Sequence, residues 1–328
     1  MPTSELAIAV VAGIVDRPPE GRPSASVARM DRKLAPRLLL PAAALTAAAL
    51  IVLAVAPTPA AERAGGGAVA AGAVDRDRSA VPILMYHAIR TAPADARLPS
   101  LFVRPRRFAE QIRALRRAGY RAVTLQRVWE AWHGRARLPR RPIVISFDDG
   151  YASHVRIALP VLRRERWPGV LHLALDWVDE LGGVRAARRL IDAGWEIDGH
   201  SRTHADLRRV SADRLADETA GARAELRRRL GVRASFFAYP GGRYDARVVA
   251  AVRKAGYLAA TTVSRGFARP AAPYELARVQ VSGAISGRAL LRRMRQLRSR
   301  SAASADQDRR STSIAWPMPP ATHIDSIP

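Results

Sequence analysis

The sequence predicts an α/β domain whose β-sheet is parallel, either open or closed into a barrel. Three glycines carry this prediction: Gly119, Gly194 and Gly256 each end a helical pattern and precede an aromatic residue that begins a strand. Glycine is common just past the last turn of a helix, because it adopts positive φ without strain. A chain that alternates helices and strands in this way usually builds a parallel sheet covered by helices.

Two segments show apolar residues at helical spacing. In the first, Phe108, Ile112 and Leu115 share one face, and Gly119 ends the pattern. The second runs from about residue 211 to 230 and is closed by another glycine, at position 231. Its apolar positions are Leu215, Ala222, Leu226 and Leu230.

Short apolar runs between these helices predict the strands. They lie at residues 82–87, 122–125, 142–147, 195–198 and 258–263. The run at 142–147 is rich in β-branched residues and ends near Gly150, a pattern typical of a buried strand in a parallel sheet.

The composition limits the class of protein. The 328 residues include no cysteine, which excludes disulfides and thiolate metal sites. The net charge of +25 invites a nucleic-acid interpretation, but the arginines are spread over most of the chain and aromatic residues are few. We therefore expect arginine-rich solvated faces and no nucleic-acid partner. Attraction to anionic cell-wall polymers or lipid headgroups stays open.

An export signal or a membrane anchor is expected near the amino terminus. Residues 38–56 contain no charged side chain and are long enough to span a bilayer. They follow a basic region, residues 1–37, that ends with Lys33 and Arg37, which is the arrangement of a signal sequence. A start at Met30 instead of Met1 would give this region its usual length. Cleaved or not, the segment predicts an exported protein, extracellular or anchored at the outer face of the cytoplasmic membrane.

The rest of the chain divides into three parts. Residues 57–80 are rich in alanine and glycine and predict a flexible linker. Residues 81–298 hold the helix and strand patterns and form the predicted folded domain. Residues 299–328 are rich in serine, alanine, proline and charge without an apolar repeat, so we expect a disordered tail.

Two adjacent carboxylates, Asp148 and Asp149, stand where the apolar run at 142–147 ends. Successive side chains of a strand point in different directions, so the two aspartates need not share one role. One could bind a metal while the other acts as a base. The alternative is a simple turn, since Asp-Asp-Gly is also ordinary turn chemistry.

Two histidines, His200 and His204, follow the run at 195–198 and are four residues apart. At this spacing they would lie on one face of a helical turn. One carboxylate and two imidazoles form a set of three protein ligands, which leaves a divalent metal an open position for water. Both segments fall at the carboxyl ends of strands, where α/β folds place their chemistry. The pattern predicts a metal-dependent hydrolase.

Two further segments carry candidate residues. The strand at 82–87 ends on His87. Taken alone, such a histidine is more often a surface or core residue than a catalytic one. Residues 236–245 contain an aromatic run broken by Pro-Gly-Gly. This run predicts either a strand and a loop or a groove wall with Tyr239 against a sugar ring.

In this order, the four segments resemble the polysaccharide deacetylase family, the NodB-homology carbohydrate esterases. The resemblance covers about residues 81–283. It is closest to the exported branch that acts on poly-N-acetylglucosamine or related wall polymers, whose domain opens with a Pro-x-Leu-Met-Tyr-His strand. The resemblance implies a distorted (β/α) barrel that removes N-acetyl groups from amino sugars of a polymer.

The resemblance also implies roles for the two motifs. Asp149, His200 and His204 match the metal ligands of the family, usually for zinc, with cobalt or nickel as substitutes. Asp148 matches the general base. The expected partners are an N-acetylated polysaccharide and the cell envelope.

The remaining roles depend on the branch. His87 matches the general acid of the exported branch, and no other histidine follows the pair until the tail. Tyr239, Pro240 and Gly242 match the segment that binds substrate and stabilises the oxyanion. Many relatives carry an arginine two positions before this Pro-x-Gly loop, where this chain has Ala238.

Two other functions stay open from the sequence. The enzyme could hydrolyse O-acetyl esters or small-molecule amides, because the motifs do not discriminate an acyl ester from an acyl amide. A catalytically silent carbohydrate-binding protein is the third reading, although a binding module has no need of the complete ligand set.

Overall fold

The computed structural model describes residues 80–312, and the side chains of residues 80–299. Eight parallel strands follow one another along the chain. They are β1 Ile83–Tyr86, β2 Arg121–Ala122, β3 Pro142–Asp149, β4 Val170–Leu173, β5 Glu196–Gly199, β6 Phe236–Ala238, β7 Ala259–Arg265 and β8 Leu276–Gln280.

The helices surround these strands. They are α1 Pro105–Arg117, α2 Leu125–Trp132, α3 Leu159–Arg164, α4 Val178–Leu181, α5 Gly183–Asp192, α6 Ala212–Ala216, α7 Ala222–Leu230, α8 Ala246–Lys254 and α9 Gly287–Thr312. Two π-helical turns, His154–Ala158 and Asp217–Gly221, lead into α3 and join α6 to α7.

Seven of the strands close into a barrel. Strand β1 pairs with β3 on one side and with β8 on the other, and the order between them is β8-β7-β6-β5-β4-β3. Strand β2 pairs only with the first two residues of β3, outside the closed ring. The barrel is irregular, because β5 and β6 share a single registered pair, Gly199 with Phe237, and the register shifts between β7 and β8. The predicted parallel sheet is confirmed, and it is closed rather than open.

The interior of the barrel is apolar toward the amino ends of the strands, which we call its lower end. Side chains from six strands meet there, and α2 packs against them from below. The strand residues are Ile83, Val144, Val170, Phe236, Ala259 and Leu276. A second apolar cluster fills the space between the outer face of the sheet and the surrounding helices.

The interior becomes polar toward the carboxyl ends of the strands. Side chains on one face of a strand recur every second residue, so the positions two residues above the apolar layer also face inward. Four of these positions hold buried polar groups, Ser146, His172, Thr261 and Arg278, while Met85 of β1 and Ala238 of β6 are apolar. Strand β5 adds the buried Asp198. Buried polar side chains therefore lie inside the barrel near its upper rim, which is formed by the carboxyl ends of the strands.

The predicted helices are confirmed, with one addition. Helix α1 buries Phe108, Ile112 and Leu115, and Gly119 beyond it has a φ of 83°. The segment at 211–230 is helical from its Ser211 cap onward, but a π-helical turn interrupts it. Periodicity over such a short interval does not reveal one extra residue in a turn.

The predicted strand at 122–125 is shorter than expected. The Thr124 hydroxyl accepts a hydrogen bond from the N–H of Arg127 at 3.1 Å and so caps α2, which begins at Leu125. Capping by a threonine side chain competes with continuation of a strand.

The expected segments at the two ends of the chain lie largely outside the described residues. Residues 1–37, 38–56 and 313–328 are among them, and so is the linker 57–80 except for its last residue. Helix α9 runs to Thr312, so the boundary expected between residues 298 and 299 falls inside a helix. Within residues 80–312, no helix has the length and apolar character needed to cross a bilayer.

Helix α9 packs closely on α1, and the contact generates a stability prediction. A methyl group at Gly287 would lie 2.6 Å from the Cβ of Ala114 and 3.1 Å from the carbonyl oxygen of Glu110. We expect Gly287→Ala to lower the free energy of unfolding by about 1–3 kcal/mol through overpacking. Urea denaturation of the whole chain measures this, with the exposed Arg292→Ala on the same helix as the control.

The sign of the change in unfolding free energy tests whether α1 and α9 pack closely at Gly287. Alanine is the better helix former by about 1 kcal/mol, so an unconstrained position would become more stable. A variant at least as stable as the wild type would contradict the close packing of α1 and α9.

Candidate active site

The carboxyl ends of β1, β3, β5 and β6 bring the predicted residues together at the upper rim of the barrel. Asp148 and Asp149 are the last two residues of β3 and are both buried. His200 follows β5 directly, and His87 follows β1. Asp149 has a φ of 79°, an uncommon conformation for a residue other than glycine. This bend lets the two aspartates face different partners.

Asp149 faces the two predicted histidine ligands. Its Oδ1 atom lies 3.4 Å from Nε2 of His200 and 3.5 Å from Nε2 of His204. The ligand atoms of all three residues lie within 4.8 Å of one another. For bonds of about 2.0–2.1 Å, tetrahedral coordination separates ligand atoms by about 3.4 Å. The spacing therefore fits a single ion such as Zn²⁺.

The hydrogen bonds of the triad also fit a metal. Asp149 Oδ1 is fully buried, yet it has no hydrogen-bond partner. Buried carboxylate oxygens rarely remain unpaired, because their desolvation is costly. The Nδ1 atom of His200 lies 2.8 Å from the carbonyl oxygen of Ala238, to which it donates when Nε2 carries the lone pair. Such a partner orients the imidazole and leaves Nε2 to bind the ion.

The charges of the triad suit a cation. Burial alone would raise the pKa of Asp149, but the nearby His200, His204 and His87 lower it well below its ordinary value. Desolvation lowers the pKa of His204 to about 4. At neutral pH this site offers one carboxylate and at least one neutral imidazole, which are the protonation states that ligands require.

The histidine pair does not lie on a helical turn, so that expectation is wrong. Residues 200–206 form an irregular loop in which Ser201 and His204 have φ values of 65° and 62°. The Ser201 hydroxyl accepts the N–H of His204 at 3.0 Å and closes the loop. Both imidazoles still reach Asp149, because the tight loop brings residue 204 back over the rim.

Asp148 is bound by an arginine that sequence analysis missed. Arg278 of β8 donates from Nη1 to Oδ1 at 2.7 Å and from Nη2 to Oδ2 at 2.8 Å, and it is 1% exposed. Its Nε also donates to the carbonyl oxygen of Thr262. The sequence did hold a signal: an arginine alternates with apolar residues in a buried strand, and a buried guanidinium needs a carboxylate partner.

This ion pair sets the protonation state of Asp148. Burial would raise its pKa, but the charge of Arg278, together with His200 and His87, lowers the pKa well below the ordinary value. Asp148 is therefore ionised at neutral pH, and the two bonds from Arg278 fix its orientation.

His87 lies beside Asp148. Its Nε2 atom is 3.8 Å from Asp148 Oδ2, and its side chain is 14% exposed. The backbone carbonyl oxygen of His87 accepts a hydrogen bond from Nε2 of the buried His154 at 3.0 Å. Burial lowers the pKa of His154 to about 4, so this histidine is a neutral structural support. His87 is thus partly open to solvent and lies next to Asp148.

The aromatic ring of Tyr239, in the loop after β6, is buried, whereas we expected it to line a groove. Tyr239 is 1% exposed, stacks on Tyr244 with ring centroids 4.4 Å apart, and donates its hydroxyl to the carbonyl oxygen of Tyr274. Its ring does not face a cleft, because the alternation along β6 turns it toward α8. Pro240 is buried as well, and a side chain at Gly242 would collide with Val263. These three residues shape the loop backbone.

Known proteins resemble this chain in sequence. The family model for polysaccharide deacetylases matches residues 135–260. YxkH of Bacillus subtilis, whose name places it provisionally among polysaccharide deacetylases, is 26% identical over 212 residues, or 64% of this chain and 74% of that protein. The poly-beta-1,6-N-acetyl-D-glucosamine N-deacetylase of Escherichia coli K12 is 35% identical over 96 residues, 29% of this chain and 14% of that protein.

A solved structure extends the likeness to the fold. The polysaccharide deacetylase BC0361 of Bacillus cereus is 26% identical, with a TM-score of 0.59 over 66% of this chain and 69% of that one. The closed parallel barrel and the aspartate and histidine motifs at its rim both agree with this relationship. Residues 135–260 of this chain match the polysaccharide deacetylase family, and the chain resembles such deacetylases in fold.

Proposed function

We propose that this protein is a metal-dependent hydrolase that removes N-acetyl groups from the amino sugars of a polysaccharide. The observation that carries the proposal is the division of labour between adjacent carboxylates. Asp148 is paired with Arg278 and lies beside His87, whereas Asp149 holds an unpaired oxygen between two imidazoles. One supports proton transfer and the other supports metal binding.

The metal site would be formed by Asp149, His200 and His204. A divalent cation held there, most simply Zn²⁺ with Co²⁺ or Ni²⁺ as substitutes, would supply a Lewis acid that polarises an acyl carbonyl and lowers the pKa of water. The His204 side chain is 24% exposed, so solvent reaches this side of the triad.

Asp148 is the general base of this proposal. Its low pKa keeps it ionised, and the two bonds from Arg278 fix the carboxylate in one orientation. A weak base of this kind accepts a proton only from water that has itself become more acidic. A fixed carboxylate also avoids the entropy cost of orienting the base during the reaction.

His87 is the general acid of this proposal and returns a proton to the leaving amine. An amine leaves an acyl centre readily only when it is protonated, so amide hydrolysis needs a general acid. The partial exposure of His87 lets it exchange protons with solvent, and its 3.8 Å separation from Asp148 Oδ2 puts acid and base on the same side of the site. The backbone of residues 239–242 is the proposed stabiliser of the oxyanion.

The substrate class is inferred from relatives. A poly-beta-1,6-N-acetyl-D-glucosamine N-deacetylase shares 35% identity with 96 residues of this chain. We propose an N-acetylated polymer of the cell envelope, such as poly-N-acetylglucosamine or peptidoglycan. An exported or membrane-anchored location belongs to the same proposal, because such polymers lie outside the cytoplasm.

Acetate release tests the proposed reaction directly. We expect the whole chain to release acetate from N-acetylglucosamine oligomers or peptidoglycan, to lose this activity with a chelator, and to regain it with zinc or cobalt. Asp148→Asn should reduce kcat by about 10²–10⁴-fold, the usual contribution of a general base, while one metal ion still binds. Release of acetate only from acetyl esters would reassign the enzyme to O-deacetylation.

The Arg278 pair predicts a second kinetic effect. Arg278→Lys keeps the charge but loses the two-pronged contact with Asp148, so kcat should fall by about 10–100-fold. Metal affinity should not change, because Arg278 does not contact the triad. Arg223→Lys is a matched control, since Arg223 also donates to two backbone carbonyls, of Ala234 and Ala255, away from the site. Wild-type kcat in Arg278→Lys would rule out a role for this arginine in orienting the base.

The role of His87 can be separated by leaving group. His87→Asn should reduce kcat by about 10²–10⁴-fold on an N-acetyl amine but by less than about tenfold on an aryl acetate, whose phenolate leaves without a proton. The comparison uses initial rates on both substrates with one preparation, and His133→Asn as the control. Equal losses on the two substrates would show that His87 does not act as the general acid.

A further inference from the structure

A buried glutamate outside the catalytic motifs contacts the loop that carries the two histidines. Glu218 lies in the π-helical turn Asp217–Gly221 and is 0% exposed. Its Oε2 atom accepts the backbone N–H of Arg202 at 2.8 Å and of Thr203 at 2.9 Å. Its Oε1 atom accepts the Thr203 hydroxyl at 2.6 Å and lies 2.8 Å from Nη2 of Arg214. Neither oxygen of this carboxylate points to solvent.

The loop depends on such a partner. Residues 202 and 203 are in neither a helix nor a strand, so their N–H groups receive no acceptor from regular structure. Two residues of the loop, Ser201 and His204, have positive φ, which costs of order 1 kcal/mol each for a residue with a side chain. A strained backbone with unpaired donors would relax unless the surrounding structure holds it.

Two adjacent carboxylates, Asp217 and Glu218, bind the loop, and we call this pair of contacts the clamp. Arg202 Nη2 binds Asp217 Oδ1 at 2.8 Å, so the residue before Glu218 also binds the loop. Gly221 leaves room for this pair, because a Cβ there would lie 2.6 Å from Asp217 Oδ1 and 3.4 Å from Arg202 Nη2. One turn of π-helix thus supplies two carboxylates to one short loop. Turns of this kind often occur at functional sites.

The position of the clamp links it to metal binding. Residues 202 and 203 lie between the candidate ligands His200 and His204, and Glu218 accepts hydrogen bonds from the backbone of these two residues. Its bonds hold the backbone that sets the 3.5 Å separation between His204 Nε2 and Asp149 Oδ1. His204 is the more exposed ligand and has no regular structure on either side, so its position depends most on the loop.

We propose that Glu218 is a positioning residue that holds the 200–204 loop in the conformation that binds the metal. The inference rests on the metal site of the proposed function and adds a residue to it. Partners that orient metal ligands typically change metal affinity by 10–100-fold when they are replaced.

The experiment measures metal binding rather than turnover. Apo-protein of the whole chain is titrated with Zn²⁺ in competition with a chromophoric chelator, and with Co²⁺ while its visible absorption spectrum is recorded. Glu218→Ala should raise the Kd for Zn²⁺ by about 10–100-fold and alter the Co²⁺ spectrum. Glu218→Gln should have an intermediate effect, because its amide oxygen can still accept the two backbone N–H groups.

The control variant is Glu225→Ala. Glu225 lies on α7, close in sequence to Glu218, and its carboxylate binds Arg228 and Arg229 of the same helix. Its Kd for Zn²⁺ and its Co²⁺ spectrum should be those of the wild type. Thermal unfolding of each apo-protein separates loss of fold from loss of metal affinity, and the Gln variant keeps the side-chain volume if the Ala variant does not fold.

The outcomes are distinguishable. A raised Kd in both Glu218 variants, graded from Gln to Ala, with apo-protein that unfolds cooperatively, supports the positioning role. A wild-type Kd and Co²⁺ spectrum in Glu218→Gln and Glu218→Ala, even with a lower melting temperature, would reduce Glu218 to a structural role and overturn the proposal. A wild-type protein that binds no metal would instead overturn the proposed function itself.

Discussion

Arg278 reaches from β8 to both oxygens of Asp148, and this buried ion pair organises the upper end of the barrel. A carboxylate and a guanidinium that are both about 98% buried must satisfy each other, since removal of either would leave an uncompensated charge away from water. Once Asp148 is committed to Arg278, the adjacent Asp149 is the carboxylate left for the histidines. The different surroundings of the two adjacent aspartates are therefore a consequence of one long-range contact.

The barrel supports this arrangement through a gradient of polarity. Its lower interior is filled by apolar side chains such as Val144 and Phe236, which give the strands a rigid foundation. Two residues higher, polar groups such as His172 and Thr261 face inward and are buried. In a dry interior electrostatic interactions act over longer distances than in water, so the rim residues influence one another strongly. The low pKa of Asp148 is an example of this influence.

The two halves of the site are built in different ways. The aspartates lie at the end of β3, which is held on both sides by parallel pairing with β1 and β4. The histidines lie on an irregular loop, whose backbone conformation is maintained by the side chains of Ser201 and Glu218. A site that combines strand and loop in this way can keep one ligand fixed while the others are tuned by residues outside the motif.

The sequence alone determined the alternation of helices and strands, the candidate ligand set and its place at the strand ends, because periodicity and short motifs are local. Tertiary structure decided the closure of the barrel, since pairing of β1 with β8 joins residues almost 200 positions apart. It also decided that Arg278 binds Asp148, that the Tyr239 ring is buried, and that the histidine pair lies on a loop without helical structure. Each of these depends on which distant groups meet in a dry interior, and no local pattern specifies that.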